Sequence, residues 1–285
     1  MADLNGPNRL INKALKEFRK SVSKSEPAFA KLLIEWVSKF RTTNGNISQS
    51  KANQKRMAAF KSAVNRFLLR SGYDAAVTEF IAAYDPLSDE IREIHKDLNG
   101  LKIKKSDVNR YKTFAISQTV DGLQKQGLNQ SLVNPVRNEL FIAVSNGASL
   151  QNTIKSLETQ LISTPDKNGR LMSNSIQVSR DALGQYEGTV NQGIAKQFGL
   201  DAFLYVGSLV KDSRPQCERW TQYIKHGKKG LILVDDLESE IQWALNNGTG
   251  FITDTVPDTF CQNRGGYNCR HTCYPVRSSV YIKPK

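Results

Sequence analysis

Two short stretches near the C-terminus hold the residue types that do chemistry. The first runs from Asp212 through Arg214 and Cys217 to Trp220. The second runs from Cys261 through Cys269, Arg270 and His271 to Cys273 and Pro275. The four cysteines of the chain are Cys217, Cys261, Cys269 and Cys273, and none lies in the first 216 residues. A disulfide framework would spread its cysteines, so the clustering points to one local site. Thiolates and a neutral imidazole are the ligand set that Zn²⁺ prefers, and four of them close a tetrahedral site. Cys217, Cys261, Cys269, His271 and Cys273 are therefore the metal-ligand candidates. The spacing Cys-x7-Cys-x-His-x-Cys has no paired-cysteine knuckle of the zinc-ribbon kind. Structural zinc, a cysteine pair and plain buried thiols are three readings of the same residues. On an extended strand, Cys269, His271 and Cys273 share one face.

The charged members admit two readings. Asp212, Arg214, Arg270 and His271 form either a structural network pinning the two stretches together or an anion site with His271 as acid–base. No second histidine or carboxylate is placed beside His271 by the sequence, so no complete catalytic set is present. Gly265 and Gly266 permit a positive φ, and predict a tight turn that delivers Cys269, Arg270 and His271 to a fixed place. No Gly-Lys-Ser/Thr follows them, so this is not a phosphate loop. His226 beside Lys228 and Lys229 reads as a solvated turn, and His95 as a surface or satisfied histidine in a helix.

The elements that must position these residues change character along the chain. Phe29, Leu32, Leu33, Trp36, Val37 and Phe40 form one apolar stripe at helical period, predicting a helix over 26–42. Ser25 reads as its cap and Pro27 as its first turn, with a separate helix before it carrying Leu10, Ile11, Ala14, Leu15 and Phe18. Further helices are predicted over 74–84, 87–98, 105–126, 130–145, 149–162 and 172–199. Beyond residue 200 the pattern turns mixed. Strands are expected in 201–210, 231–234 and 280–282, with short helices over 214–224 and around Leu237, Ile241 and Ala244. The fold class is thus α+β: a mainly helical N-terminal two-thirds and a small Cys/His-containing C-terminal module. The expected boundary separates a basic helical region, 1–170, from a module over 171–285 entered by the helix 172–199.

The chain has 285 residues, enough for two domains at roughly 100–200 residues each. No apolar run reaches the ~20 residues of a membrane span, and the N-terminal stretch lacks the apolar core of a secretory signal. The net charge of +13 is unevenly placed: residues 1–70 hold 15 Lys and Arg against 4 Asp and Glu. A basic arm on a near-neutral body suggests contact with a polyanion, nucleic acid being the commonest.

The order Asp212-x-Arg214-x-x-Cys217, then Gly227-Lys228, then Gly265-Gly266-Tyr267-x-Cys269-Arg270-His271 and Pro275-Val276 resembles the phage Mu F-like minor head protein (head morphogenesis) family. The resemblance covers about residues 172–276. Many members carry His-Pro-Asn-Cys-Arg-Cys; here the last thiol falls two places later, at Cys273, and Cys261 lies outside the motif. The resemblance implies a structural protein of a tailed-phage head, without enzymatic activity and present in several copies. Such a protein is made in the host cytoplasm and enclosed in the virion, inside the capsid. Portal and capsid proteins and non-specifically bound double-stranded DNA are the implied partners, with roles in head assembly near the portal and in ejection with packaged DNA. The alternative is a nuclease or toxin-like effector domain carried by a phage-like particle.

Overall fold

Apolar residues recurring at helical spacing make the described residues 68% helical, with two small antiparallel sheets among them. The computed structural model describes residues 3–267 and 269–282. The elements in order are α1 (Gly6–Val37), β1 (Thr42–Thr43), β2 (Asn46–Ile47), α2 (Lys51–Ala58), α3 (Phe60–Ser71), α4 (Tyr73–Ile81), α5 (Tyr84–Asn99) and α6 (Lys105–Gln124). There follow α7 (Gln126–Leu128), α8 (Asn134–Asn146), α9 (Leu150–Leu161), α10 (Arg170–Phe198), β3 (Ala202–Val206), α11 (Pro215–Thr221), β4 (Leu231–Leu233), α12 (Leu237–Asn247), α13 (Phe260–Asn263) and β5 (Thr272–Val276). The fold class expected from the sequence is the one observed.

The described chain falls into two compact units, each built from separated segments. One comprises residues 14–82 and 118–179; the other comprises 3–13, 83–117 and 180–282. The division therefore does not follow a single boundary near residue 170, because α1, α6 and α10 each run through both units.

The first of these units is helical. Phe18 meets Phe80 at 4.7 Å between ring centroids, and Trp36 lies against Phe40 and Phe60. The expected break at Ser25 is absent. Ala14, Phe18, Val22, Phe29, Leu33 and Val37 are all buried at steps of four or seven residues, so one helix serves the whole stripe. Ser25 Oγ donates to the Ser21 carbonyl instead of capping, and Pro27 sits inside α1. Asn44 and Gly45 take positive φ and turn β1 into β2. Asn53 ties this hairpin down, accepting from the Arg41 amide and donating to the Arg41 and Ser48 carbonyls.

The second unit holds the sheet, in the order β4-β3-β5, with every neighbouring pair antiparallel. The register places Tyr205 opposite Cys273 and Val206 opposite Thr272. The strand expected at 280–282 is not formed; residues 278–280 make a short 3-10 turn. Asp201 accepts from both the amide and hydroxyl of Ser278, which ends the strand region earlier. The real third strand, Thr272–Val276, is buried at every position. The α10 segment within this unit carries the polar residues that hold it. Tyr186 meets Tyr84 edge-on and bonds Ser88 at 2.5 Å. Asn191 donates to the Cys273 carbonyl at 3.0 Å and bonds His95, which is buried and satisfied.

Candidate metal centre

Two elements and two loops converge on one point of the second unit. The central strand β3 supplies Tyr205. The first turns of α11 supply Cys217, with Arg214 at the N-cap and Pro215 at the first helical position. The segment after α13 supplies Arg264, Gly265 and Gly266, and the approach to β5 supplies Cys269 and His271.

The sulfurs of Cys217 and Cys269 lie 3.8 Å apart, and Cys269 Sγ lies 3.6 Å from His271 Nδ1. One donor atom from each of Cys217, Cys269 and His271 falls within 4.8 Å of the others. A tetrahedral Zn²⁺, with Zn–S of ~2.3 Å and Zn–N of ~2.0–2.1 Å, sets S···S at ~3.8 Å and S···N at ~3.5–3.6 Å. This group could hold a metal ion. The sequence put five residues in one candidate set; the structure brings three of them together. Cys261 and Cys273 belong instead to the apolar core beside Phe203, Trp220 and Phe260. Cys261 Sγ donates to the Cys273 carbonyl at 3.3 Å, and burial, then the neighbouring Cys273 thiol, pushes the Cys261 thiol well up. All four cysteines are free.

The two motif halves are locked to each other by backbone carbonyls. Arg214 donates to the Gly265 carbonyl at 2.8 Å and the Tyr267 carbonyl at 2.6 Å, and Gln216 donates to Gly265 at 2.9 Å and Thr249 at 3.0 Å. Gly265 is sterically required: a Cβ there would lie 2.2 Å from Cys217 Sγ. Gly266, at φ +103, makes the expected tight turn against the Gly250 carbonyl. The expected four-residue network is not assembled. Arg214 meets the carbonyls just named, while Asp212 and Arg270 are exposed and form no ion pair with a described residue. The buried guanidinium is that of Arg264, which donates to the His271 carbonyl at 3.2 Å.

The electrostatics single out one thiol. The Cys217 thiol hydrogen bond, with His271 and Arg264 beside it, holds Cys269 well below the usual thiol value against the opposing effect of burial. The same thiol–thiol bond, with burial, pushes Cys217 far up. Cys269 is therefore the thiol of the pair that ionises first. His271 stacks on Tyr205, the ring centroids 5.4 Å apart and the planes 18° apart, and its buried Nε2 has no partner among the described residues.

Sequence reasoning missed Tyr205, Arg264 and Glu187. Tyr205 reads as an ordinary apolar strand residue. Arg264 stands beside the Gly-Gly turn, and its own positive φ of 48° marks the backbone change there. Glu187 lies inside a long helix, with no local signal beyond its small neighbours Gly184 and Gly188. Those glycines are where α10 meets the C-terminal segment: a Cβ on Gly184 would strike Arg264, and one on Gly188 the Cys261 carbonyl.

No family model matches this chain, and no match was found among the curated proteins or the solved structures. Among the described residues, no helix is long and apolar enough to cross a membrane.

Proposed function

We propose that this chain is a minor structural protein of a tailed-phage head, acting in head assembly near the portal and contacting packaged DNA. The observation that carries the reading is the convergence of the residues behind the family resemblance. Arg214, Cys217, Gly265, Gly266, Cys269 and His271 come from stretches about 50 residues apart and are mutually locked in one cluster. Their contacts are with one another, with Tyr205 and with backbone carbonyls, which is what a module needs in order to fold and dock. The alternative of an anion-binding catalytic site needs Arg270 and Asp212 beside His271, and both are turned to solvent.

In this reading the ion at Cys217, Cys269 and His271 is a structural Zn²⁺, stapling a module whose sheet has only three short strands. The basic arm supports the DNA part. Lys16, Arg19, Lys20, Lys24, Lys31 and Lys39 are exposed along α1 and just beyond its end, and none pairs with a described carboxylate. Glu17 and Glu35 are exposed on the same helix, so the surface is net basic rather than purely basic, and a net basic surface binds phosphates without reading bases.

The test is quantitative peptide mass spectrometry on purified particles, with DNA-filled and emptied heads compared. A small fixed ratio to the portal subunit is expected. Absence of the chain from particles would overturn the structural reading and bring the effector alternative forward.

A further inference from the structure

We infer that Tyr205 Oη is the fourth ligand of the metal centre, bound as a phenolate whose proton passes to solvent when the metal binds, completing a two-thiolate, one-imidazole, one-phenolate site. The inference rests on the reading of Cys217, Cys269 and His271 as metal ligands and adds the group that closes their tetrahedron. Tyr205 Oη lies 3.6 Å from Cys217 Sγ and 3.5 Å from Cys269 Sγ. With metal–oxygen bonds of ~2.0–2.2 Å and metal–sulfur bonds of ~2.3 Å, a tetrahedron places oxygen ~3.5–3.7 Å from each sulfur. The hydroxyl thus stands at a corner position with respect to both thiols.

Two further observations agree. The ring of Tyr205 is buried in the core, edge-on to Trp220 at 5.4 Å and stacked on His271 at 5.4 Å. Among the described residues its hydroxyl has only the two sulfurs as hydrogen-bond partners. Buried tyrosine hydroxyls are ordinarily satisfied by stronger partners than thiols. In addition, a Cβ on Gly265 would lie 2.2 Å from Cys217 Sγ, 3.0 Å from Cys269 Sγ and 3.1 Å from Tyr205 Oη. Three of the four donor atoms therefore border one small space that the glycine keeps clear. Arg264 and Arg214 stand close enough to the thiols to offset the negative charge of such a ligand set.

The experiment strips the full chain of metal with a chelator and titrates Zn²⁺ against a competing chelator, for the wild type and Tyr205→Phe. Co²⁺ ligand-field spectra are recorded for both, with circular dichroism as the control for folding. The expected result is one equivalent bound by the wild type. The variant should be folded, bind ~100-fold more weakly and show shifted Co²⁺ bands, a loss at or above that of typical supporting residues. Equal affinity and superimposable spectra would overturn the role of Tyr205 while leaving the three-residue metal site standing. A wild-type chain that takes up neither ion would overturn the metal site itself, and this inference with it. Should Tyr205→Phe fail to fold, the wild type decides. Zn²⁺ should raise the ultraviolet difference band of one tyrosinate, and no band means that Tyr205 is not a ligand.

Discussion

Glu187 is a carboxyl group fully removed from water, accepting hydrogen bonds from Tyr274 at 3.3 Å and Thr272 at 3.4 Å. Burial raises its pKa from 4.5 to about 7, and the nearby Arg264 opposes the rise. A carboxyl whose folded pKa lies above its unfolded value stabilises the fold fully below the unfolded pKa. That contribution is lost as pH climbs from 4.5 to about 7. Glu187→Gln should remove the dependence: relative to the variant, the wild type loses ~3 kcal/mol over that window, read from urea unfolding at a series of pH values. His95 works in the opposite direction. Burial lowers it from 6.5 to about 4, so its contribution is present above 6.5 and lost as pH falls through about 4. Comparing Glu187→Gln with the wild type cancels the His95 part, since both proteins carry it. Gly265→Ala is the steric counterpart. With Cys217 Sγ only 2.2 Å from the new methyl, the sulfur or the turn must move. A cost of ~3 kcal/mol or more is expected, together with loss of bound metal, read by thermal melting and metal analysis.

At the scale of elements, α1 shows how packing outvotes a local signal. Ser25 followed by Pro27 is a sound helix-start pattern, yet the stripe from Ala14 to Val37 stays in phase through it. Glu26, in the same turn, is buried and accepts from the amides of Ser163 at 2.9 Å and Met172 at 3.2 Å. The carboxylate of one helix thereby satisfies an orphan donor in the first turn of another, α10. Glu26→Ala leaves both amides without that partner and should destabilise the chain by ~2–3 kcal/mol. An unchanged denaturation midpoint would show that water replaces the carboxylate. Gly72, Gly100 and Gly147 all take a left-handed φ immediately after α3, α5 and α8, where glycine costs least.

For the whole molecule, the proposed metal and the proposed polyanion partner are the two levers. If Zn²⁺ binds only the folded chain, chelation should lower stability by ~4 kcal/mol at a thousandfold excess of metal over its dissociation constant. Cys217→Ser should make the chain insensitive to chelator, which differential scanning calorimetry with and without chelator checks. DNA affinity should fall linearly with salt on logarithmic axes, and replacing Lys16, Lys20 and Lys24 by Gln should flatten the slope by about one unit for each phosphate left unneutralised. Affinity indifferent to salt would remove DNA from the partner set. Most of this organisation was open to sequence reasoning. Helical period, the Gly265–Gly266 turn, the unequal charge and the cysteine cluster are properties of neighbouring residues, and local chemistry decides them. So the mainly helical body, the mixed C-terminal module and the candidate ligands could be named from the chain alone. What could not be named was membership of the site. Cys217 meets Cys269 because Arg214 and Gln216, at the start of α11, are held to the Gly265 and Tyr267 carbonyls, and Tyr205 joins them because β3 pairs with β5 at the centre of the sheet. Cys273 drops out because its thiol is claimed by the apolar core around Cys261. Asp212 and Arg270, charged and therefore cheap to leave in water, stay there, while Arg264 is drawn in beside His271 and Glu187. Such choices depend on which distant strands pair and which groups must be desolvated, and only the tertiary structure decides them.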